Sequence, residues 1–212
     1  MSLPALEELE ALAGARVLAR LDLNVPLSGG EVLDDTRITA ALPTLRWLLE
    51  RAEVVAACSH LGKAKGRPEP AFSLAPVAEA LAAALGRPVR FVADCLDPAR
   101  AKAAPGELLL LENLRFHAGE QANDSGFAER LVAPFSHYVN DAFGTAHRAH
   151  ASVTGVLEHL PRKAAGRLMV REVEALSRLL GEPERPFAAI LGGAKIEGKI
   201  DTLENLLPRL DV

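Results

Sequence analysis

Short apolar runs alternate with stretches of helical periodicity along this chain, and this alternation constrains its fold more than any other feature. The apolar runs are short enough for strands, and apolar residues three and four positions apart mark the helical stretches between them. Strands that alternate with helices favour a parallel sheet covered on both faces. We therefore predict an α/β fold, with a parallel sheet flanked by helices on both faces. The predicted strands are 17–25, 54–59, 89–93, 108–111, 138–140 and 188–191, and the predicted helices are 38–49, 73–85, 127–131 and 168–180.

Serine, proline and glycine indicate where the helices begin and end. Ser73 and Pro76 suit the cap and first turn of one helix, and Gly86 suits a left-handed residue just after its last apolar position. Pro43 lies within the first helical stretch. Because proline lacks an N–H donor, we expect a helix to tolerate Pro43 only in its first turn.

The composition excludes several classes of protein. A chain of 212 residues with 49% hydrophobic content can bury a sizeable core. A net charge of -4 argues against a general nucleic-acid or membrane-surface binder, so any anion site must be local. Cys58 and Cys95 lack metal-ligand spacing, and we expect reduced core thiols. The sequence shows no secretion signal and no apolar run of membrane-spanning length, so we expect a cytoplasmic protein without nucleic-acid or membrane partners.

Polar residues follow several of the predicted strands directly. In parallel sheets, ligands bind in the crevice beyond the carboxyl ends of the strands. One rim of the sheet would therefore collect these side chains. They are Asp22, Asn24, Ser59, His60, Glu112, Asn113, Arg115, Asn140 and Asp141.

Several cations lie on these strand-end loops in an otherwise acidic chain. Arginine binds phosphate or carboxylate through two parallel hydrogen bonds, so several arginines on one rim would suit a small anion with several charges. Scattered, solvated surface charge is the open alternative. The cations are Arg37, His60, Arg115 and Arg148, with Lys63 and Lys65 close in sequence.

A glycine-rich segment at 192–200 follows the apolar run 187–191. It approaches the P-loop pattern but fails at Ile200, where a hydroxyl is needed for magnesium. Lys195 and Lys199 would still share one face of a helix that begins here. Two cations at a helix amino terminus indicate a phosphate clamp.

Other kinds of chemistry find no support in the sequence. His147 and His150 are accompanied by no recognisable ligand set, so we predict no bound metal. We find no nucleophilic triad, no paired acid and base carboxylates and no dinucleotide-binding glycine pattern. Phosphoryl transfer to an acceptor that is already anionic needs none of these, because positioning and charge neutralisation suffice.

Gly181, Pro183 and Pro186 follow the last predicted helix and indicate a connector between two lobes. We predict one lobe at 1–166, an inter-lobe helix and linker at 167–185, and the start of a second lobe at 186–212. The 26 residues after Pro186 are too few for a domain. We expect the second lobe to be incomplete, or to be completed by something outside this chain.

Six motifs follow one another along the chain. They are RLDLNVP at 20–26, DTRI at 35–38, SHLG at 59–62, LENLRF at 111–116, NDAFGTAHRAH at 140–150 and LGGAK at 191–195. They occur in the same order in phosphoglycerate kinases. The chain resembles that family from about Arg16 onward, and the resemblance implies a Rossmann-like three-layer lobe. It also implies reversible phosphoryl exchange between magnesium-ATP and the carboxylate of 3-phosphoglycerate, which gives 1,3-bisphosphoglycerate and ADP.

The resemblance also implies roles for single residues. Arg37 would orient the substrate carboxylate and neutralise charge at the transfer point, and Lys195 would stabilise the moving phosphoryl group. Gly193 and Lys199 would contact the nucleotide, ATP or ADP, whose Mg²⁺ ligands we expect in a later lobe. A full-length protein would be a monomer whose lobes close and expel water. The substrate-binding set would be Asp22, Leu23, Asn24, Arg37, His60, Leu61, Gly62, Lys63, Arg115 and Arg148, with the glycerate on Asp22 and Asn24 and the phosphate on His60, Arg115 and Arg148.

The chain departs from the family pattern in two motifs and in length. Lys63 and Ala64 stand where the family usually has Arg-Pro, so the point charge of Lys63 replaces a two-pronged phosphate contact. Either Lys63 suffices, or Arg67 nearby takes over this contact. Ile-Glu-Gly at 196–198 replaces the common Val-Ser-Asp. A later glycine-rich loop and a carboxylate for the ribose are absent. We expect the chain alone to bind phosphoglycerate and to transfer phosphate poorly or not at all.

Two other functions compete with this interpretation. A P-loop nucleotide hydrolase would bind ATP tightly without phosphoglycerate. A non-catalytic anion-binding module would use the same rim for recognition only.

Overall fold

The structure, a computed structural model, describes residues 3–97, 100, 102–181, 183–190 and 204–211. The chain divides into two compact units, Met1–Glu172 and Val173–Val212. The division falls inside one helix, Arg167–Leu180. The lobe boundaries expected from the sequence stay predictions.

The first unit is built on a six-stranded parallel sheet with the strand order β5-β6-β4-β1-β7-β8. Its register aligns the ends of the central strands, because Arg20 in β1 lies opposite Cys58 in β4 and Asn140 in β7. A two-stranded antiparallel sheet, β2 with β3, follows β1 in the chain. The strands are β1 (Arg16–Arg20), β2 (Leu27–Ser28), β3 (Glu31–Val32), β4 (Val54–Cys58), β5 (Val89–Val92), β6 (Leu108–Leu111), β7 (His137–Asn140) and β8 (Arg162–Ala165).

Two hydrophobic cores lie on opposite faces of the main sheet. Val17 and Ala19 of β1 belong to one core, and Leu18 between them belongs to the other, as the two-residue period of a strand requires. The first core includes α1 and α2, and the second includes α4. The helices are α1 (Thr36–Leu49), α2 (Ala75–Leu85), α3 (Ala118–Gln121), α4 (Ser125–Val132) and α5 (Arg167–Leu180), with short 3₁₀ turns at Leu6–Glu8, Pro70–Phe72, Leu114–Phe116, Phe143–Thr145, Gly155–Glu158 and Leu207–Arg209.

The predicted fold class is confirmed, and so are most of its elements. α2 carries Pro76 in its first turn, and Gly86 ends it with φ +69°. β1 is shorter than predicted, since it ends at Arg20, and neither β8 nor the β2–β3 hairpin was predicted. No helix in the described part of the chain is long and apolar enough to cross a membrane.

Two expectations were wrong. Pro43 lies in the interior of α1 rather than in its first turn. Its ring is on the exposed side of the helix, and the fully buried Ile38, Leu45 and Leu48 hold α1 on the sheet. Burying each such side chain contributes roughly 1.5–3 kcal/mol, which together exceeds the cost of about 3 kcal/mol for an interior proline.

The predicted strand at 188–191 is the second error. Residues 188–190 are not a strand, and residue 191 lies outside the described residues. Ile190 is fully exposed. A strand needs a neighbour for its ladder of hydrogen bonds, and the described residues of the second unit contain no sheet that could supply one.

Candidate functional site

The loop after β1 is fixed to the end of β4 through one buried serine. The Oγ atom of Ser59 accepts from the Leu23 amide at 2.9 Å and donates to the Leu21 carbonyl at 2.8 Å. Leu21 and Leu23 are fully buried, whereas Asn24 is partly exposed. The buried leucines therefore anchor the loop, and the side chains of Asp22 and Asn24 stay available at the rim of the sheet.

Asp22 and Arg37 form an ion pair between this loop and the first turn of α1. The Arg37 side chain is half exposed, and Asp22 is largely covered. Both line a cavity of about 340 Å³, together with Phe143 and Gly144. A Cβ atom on Gly144 would lie 3.1 Å from the Asp22 carboxylate, so a larger residue there would crowd the pair.

Gly62 links two of the predicted substrate residues through its backbone. Its amide donates to the Asn24 Oδ1 atom at 2.8 Å, and its carbonyl accepts from the Arg115 Nη1 atom at 2.8 Å. Gly62 has φ +62°, and an added Cβ atom would lie 2.3 Å from the Phe72 ring. Both the backbone conformation and the close approach therefore require glycine.

Asn113 and Glu112 hold the loops around the site. Asn113 Nδ2 donates to the carbonyls of Leu61 and Phe72, at 2.8 and 2.9 Å. Glu112 accepts from the Leu74 amide at 2.9 Å and from the Ser73 hydroxyl at 2.7 Å. α2 is therefore capped at Leu74, and its start is tied to the loop after β6.

Arg115 carries hydrogen-bond donors that nothing in the described part of the chain accepts. The residue is only 5% exposed, and its Nε and Nη2 atoms are buried without a partner. Burial, followed by the charges of Arg148 and Arg20, lowers the pKa of the Arg115 guanidinium. Unpaired buried donors on a charged group are costly, so this arrangement favours a bound anion that would accept from both atoms.

His60 is a neutral group, which corrects the expectation that it is one of the cations. It is 5% exposed, and its pKa is lowered to about 2. Burial is the largest cause, and the positive charges of Arg20, Arg115 and Arg148 add to it. A neutral imidazole can still donate one hydrogen bond to an anion.

Arg148 is exposed on the segment after β7, and its charge acts on both His60 and Arg115. The structure therefore brings these three residues together, as the rim of a parallel sheet predicts. Lys63, just after His60 in the sequence, is exposed. Arg67 pairs with Glu69 at 3.6 Å. The predicted nucleotide residues Gly193, Lys195 and Lys199 lie outside the described residues.

A group of metal-ligating residue types lies on the loops after β5 and β6, and none of its members was predicted as a site residue from the sequence. Ligand atoms of Asp94, Cys95 and His117 lie within 4.8 Å of one another. Asp94 Oδ1 already accepts from the Leu96 amide and contacts the His117 Nε2 atom at 3.0 Å. Burial raises the pKa of the Cys95 thiol, which keeps the sulfur protonated. We interpret the group as a hydrogen-bonded cluster.

Three buried polar residues behind the site were not identified from the sequence. Arg20, Glu120 and Ser152 are fully buried and linked by hydrogen bonds. An arginine inside the apolar run 17–25 was a usable signal, since a buried charge needs partners. The partners themselves could not be read from the sequence, because Ser152 is 132 positions away.

Comparison with known proteins gives the same family as the motifs do. The family model for phosphoglycerate kinase matches residues 6–212. A phosphoglycerate kinase of Thermomicrobium roseum is 56% identical over 200 residues, which are 92% of this chain and 51% of that protein. One of Moorella thermoacetica is 52% identical over 210 residues, which are 97% of this chain and 53% of that protein. The chain therefore spans about half the length of these relatives.

Solved structures give the same result. A phosphoglycerate kinase from Coxiella burnetii matches with a TM-score of 0.85 at 42% sequence identity. The match covers 99% of this chain and 53% of the Coxiella chain. The phosphoglycerate kinase from Pyrococcus horikoshii matches with a TM-score of 0.86 at 32% sequence identity. This match covers 98% of this chain and 53% of the Pyrococcus chain. This chain therefore belongs to the phosphoglycerate kinase family.

Proposed function

We propose that this chain is the acceptor-binding part of a glycolytic kinase that exchanges a phosphoryl group between ATP and the carboxylate of 3-phosphoglycerate. The observation that carries the proposal is the buried Arg115 guanidinium, with two donor atoms that have no partner in the described part of the chain. The charges of Arg115 and Arg148 act on His60, and that of Arg148 acts on Arg115, which supports assigning all three to one phosphate.

The other end of the substrate would lie toward Asp22, Asn24 and Arg37. Asn24 and Asp22 can hydrogen-bond the glycerate hydroxyl, and Arg37 can bind the carboxylate by exchanging part of its contact with Asp22. Leu23, Leu61 and Gly62 would position these groups through their backbone. A carboxylate that attacks a phosphoryl group has no proton to lose, so the site needs charge neutralisation rather than a general base.

The nucleotide half of the proposal has its support in the family resemblance alone. The residues concerned, Gly193, Lys195 and Lys199, lie outside the described residues. ATP or ADP with Mg²⁺ is therefore proposed for the complete enzyme. A cytoplasmic location and a monomeric state at full length belong to the same proposal, and the two buried free cysteines support the location.

Calorimetric titration and a turnover assay together test this function. We expect 3-phosphoglycerate to bind the 212-residue chain more tightly than inorganic phosphate or glycerate, and ATP to bind weakly. In a coupled assay with ATP and 3-phosphoglycerate, we expect little or no turnover. Tight ATP binding without affinity for 3-phosphoglycerate would favour a nucleotide hydrolase instead. Turnover as fast as that of the family would show that the 212-residue chain does more than bind the acceptor.

Lys63→Ala gives a smaller test of the phosphate side. We expect a two- to fivefold weaker Kd for 3-phosphoglycerate, because an exposed point charge contributes at most about 1 kcal/mol. Lys65→Ala, an equally exposed change two residues later, is the matched control and should leave the Kd unchanged. An unchanged Kd for Lys63→Ala would mean that Lys63 has no such role.

A further inference from the structure

Arg20, the last residue of β1, is a fully buried arginine that contacts the predicted phosphate site from behind. Its Nε atom donates to the Ser152 hydroxyl at 3.1 Å, and its Nη1 atom donates to the Leu21 carbonyl. Its Nη2 atom lies 3.1 Å from the Nδ1 atom of His60. Arg20 therefore contacts His60 on the ring edge that carries Nδ1.

A guanidinium has donors only and no acceptor. The His60 Nδ1 atom that faces it must then be the acceptor, and an acceptor nitrogen carries no proton. In a neutral imidazole, the single proton is then on the other nitrogen, Nε2. The direction of this one contact thus decides which nitrogen of His60 is the donor.

We propose that Arg20 is a positioning residue that fixes His60 as the neutral Nε2–H tautomer, so that the ring gives the substrate phosphate one hydrogen bond and no charge. This inference rests on the proposed function for the identity of the anion. The tautomer itself does not depend on it. The positive charge at the phosphate would then come from Arg115 and Arg148, with a small contribution from Lys63.

Arg20 is itself held in place by a buried hydrogen-bond chain. The Ser152 hydroxyl donates to Glu120 at 2.6 Å, and the Ser152 amide donates to the same carboxylate at 2.9 Å. Glu120 is fully buried, so the Ser152 hydroxyl links a buried arginine to a buried carboxylate. Because both partners of Arg20 are fixed, its Nη2 donor cannot turn away from His60 without breaking buried hydrogen bonds.

The charged and titratable groups that act on His60 come from three parts of the fold. They are Arg20 in β1, Arg115 after β6, and Arg148 with His150 after β7, and all four disfavour a charged ring. The folded-state pKa of His60 is lowered to about 2, so the ring stays neutral from pH 8.5 to pH 5. In the unfolded chain, His60 would take up a proton near its ordinary pKa of about 6.5.

The affinity for 3-phosphoglycerate should therefore follow the phosphate and not the histidine. We expect the Kd to tighten as the pH rises from 5 to 7, because the second phosphate proton leaves with a pKa of about 6. From pH 7 to 8.5, the Kd should stay constant within about twofold. If a charged His60 were needed, the Kd would weaken about tenfold for each pH unit above about 6.5.

The decisive experiment is a long-range ¹H–¹⁵N correlation of the histidine rings in the 212-residue chain without ligand. His60→Gln identifies the His60 signals by removing them. We expect Nδ1 to be unprotonated and Nε2 to carry the proton at every pH from 5 to 8.5. A proton on Nδ1, or on both nitrogens, would overturn the inference. Since no ligand is present, failure here is distinct from failure of the proposed function, which would show as absent binding of 3-phosphoglycerate.

A double variant tests the role of Arg20 directly. Arg20→Met with Glu120→Gln removes both buried charges together, and circular dichroism reports whether it folds. We expect a mixture of His60 tautomers and a Kd for 3-phosphoglycerate about tenfold weaker. Arg16→Gln changes an exposed arginine on the same strand and should alter neither. If the folded double variant keeps the Nε2–H tautomer and a Kd within twofold, Arg20 does not position His60. If it does not fold, the wild-type spectrum still decides the tautomer.

Discussion

Arg115→Ala should weaken the binding of 3-phosphoglycerate about 100-fold. The buried Nε and Nη2 atoms of Arg115 lack partners in the described residues, so an anion that accepts from them gains both charge and direction. Removing one partner of such a buried, charge-assisted contact costs about 2–5 kcal/mol, and about 3 kcal/mol corresponds to a factor of roughly 100 in Kd. Calorimetric titration of the 212-residue chain measures the change.

Two further variants separate charge from geometry at this position. Arg115→Lys keeps the charge but loses the guanidinium fork, and we expect an intermediate effect of roughly tenfold. Arg51→Ala removes an exposed arginine that pairs with Glu50, and it should change the Kd less than twofold. A Kd within threefold of wild type for Arg115→Ala, in a folded protein, would contradict the assignment of the phosphate to this residue.

Glu120→Ala should lower the free energy of unfolding by about 3–5 kcal/mol, because it removes the buried carboxylate that Ser152 links to the buried charge of Arg20. The fully buried Glu120 carboxylate accepts two hydrogen bonds from Ser152 and lies 3.8 Å from the His150 ring. Without it, the buried Arg20 guanidinium loses the carboxylate to which Ser152 links it. Urea denaturation followed by circular dichroism gives the free energy.

Glu129→Ala is the matched control, because Glu129 is an exposed glutamate on α4. We expect its effect to stay within about 0.5 kcal/mol. Glu120→Gln keeps the shape and one acceptor, and should fall between the two. A loss below about 1 kcal/mol for Glu120→Ala would show that the chain from Glu120 to Arg20 adds little to the fold.

The parallel sheet could be predicted because its strands leave a local signal. Runs such as Leu108–Leu111 are buried on both faces and read as continuous apolar segments. β8 has no such run, since it begins with exposed Arg162 and Lys163 at the edge of the sheet. The β2–β3 hairpin turns at Gly29 and Gly30, which are a known turn signal, but its strands are only two residues long. Length and edge position therefore explain these misses.

The candidate site could be predicted as far as the strand-end rule reaches. That rule placed Asp22, Asn24, His60 and Arg115 on one rim. It could not give the charge state of His60, because that depends on burial and on arginines from other strands. It also could not identify Arg20, whose orientation depends on a serine that only the fold brings near. Pairing across long sequence separation is the information that a single sequence lacks.

Mapping the ligand on the chain would show whether the rim of the parallel sheet is a 3-phosphoglycerate site. Backbone amide shifts of the 212-residue protein would be followed by NMR while 3-phosphoglycerate is added. We expect saturable shifts concentrated at Asn24, Gly62 and Arg115, which are joined by hydrogen bonds at the site. Saturable shifts that leave these amides unchanged, or no shifts at millimolar ligand, would contradict it.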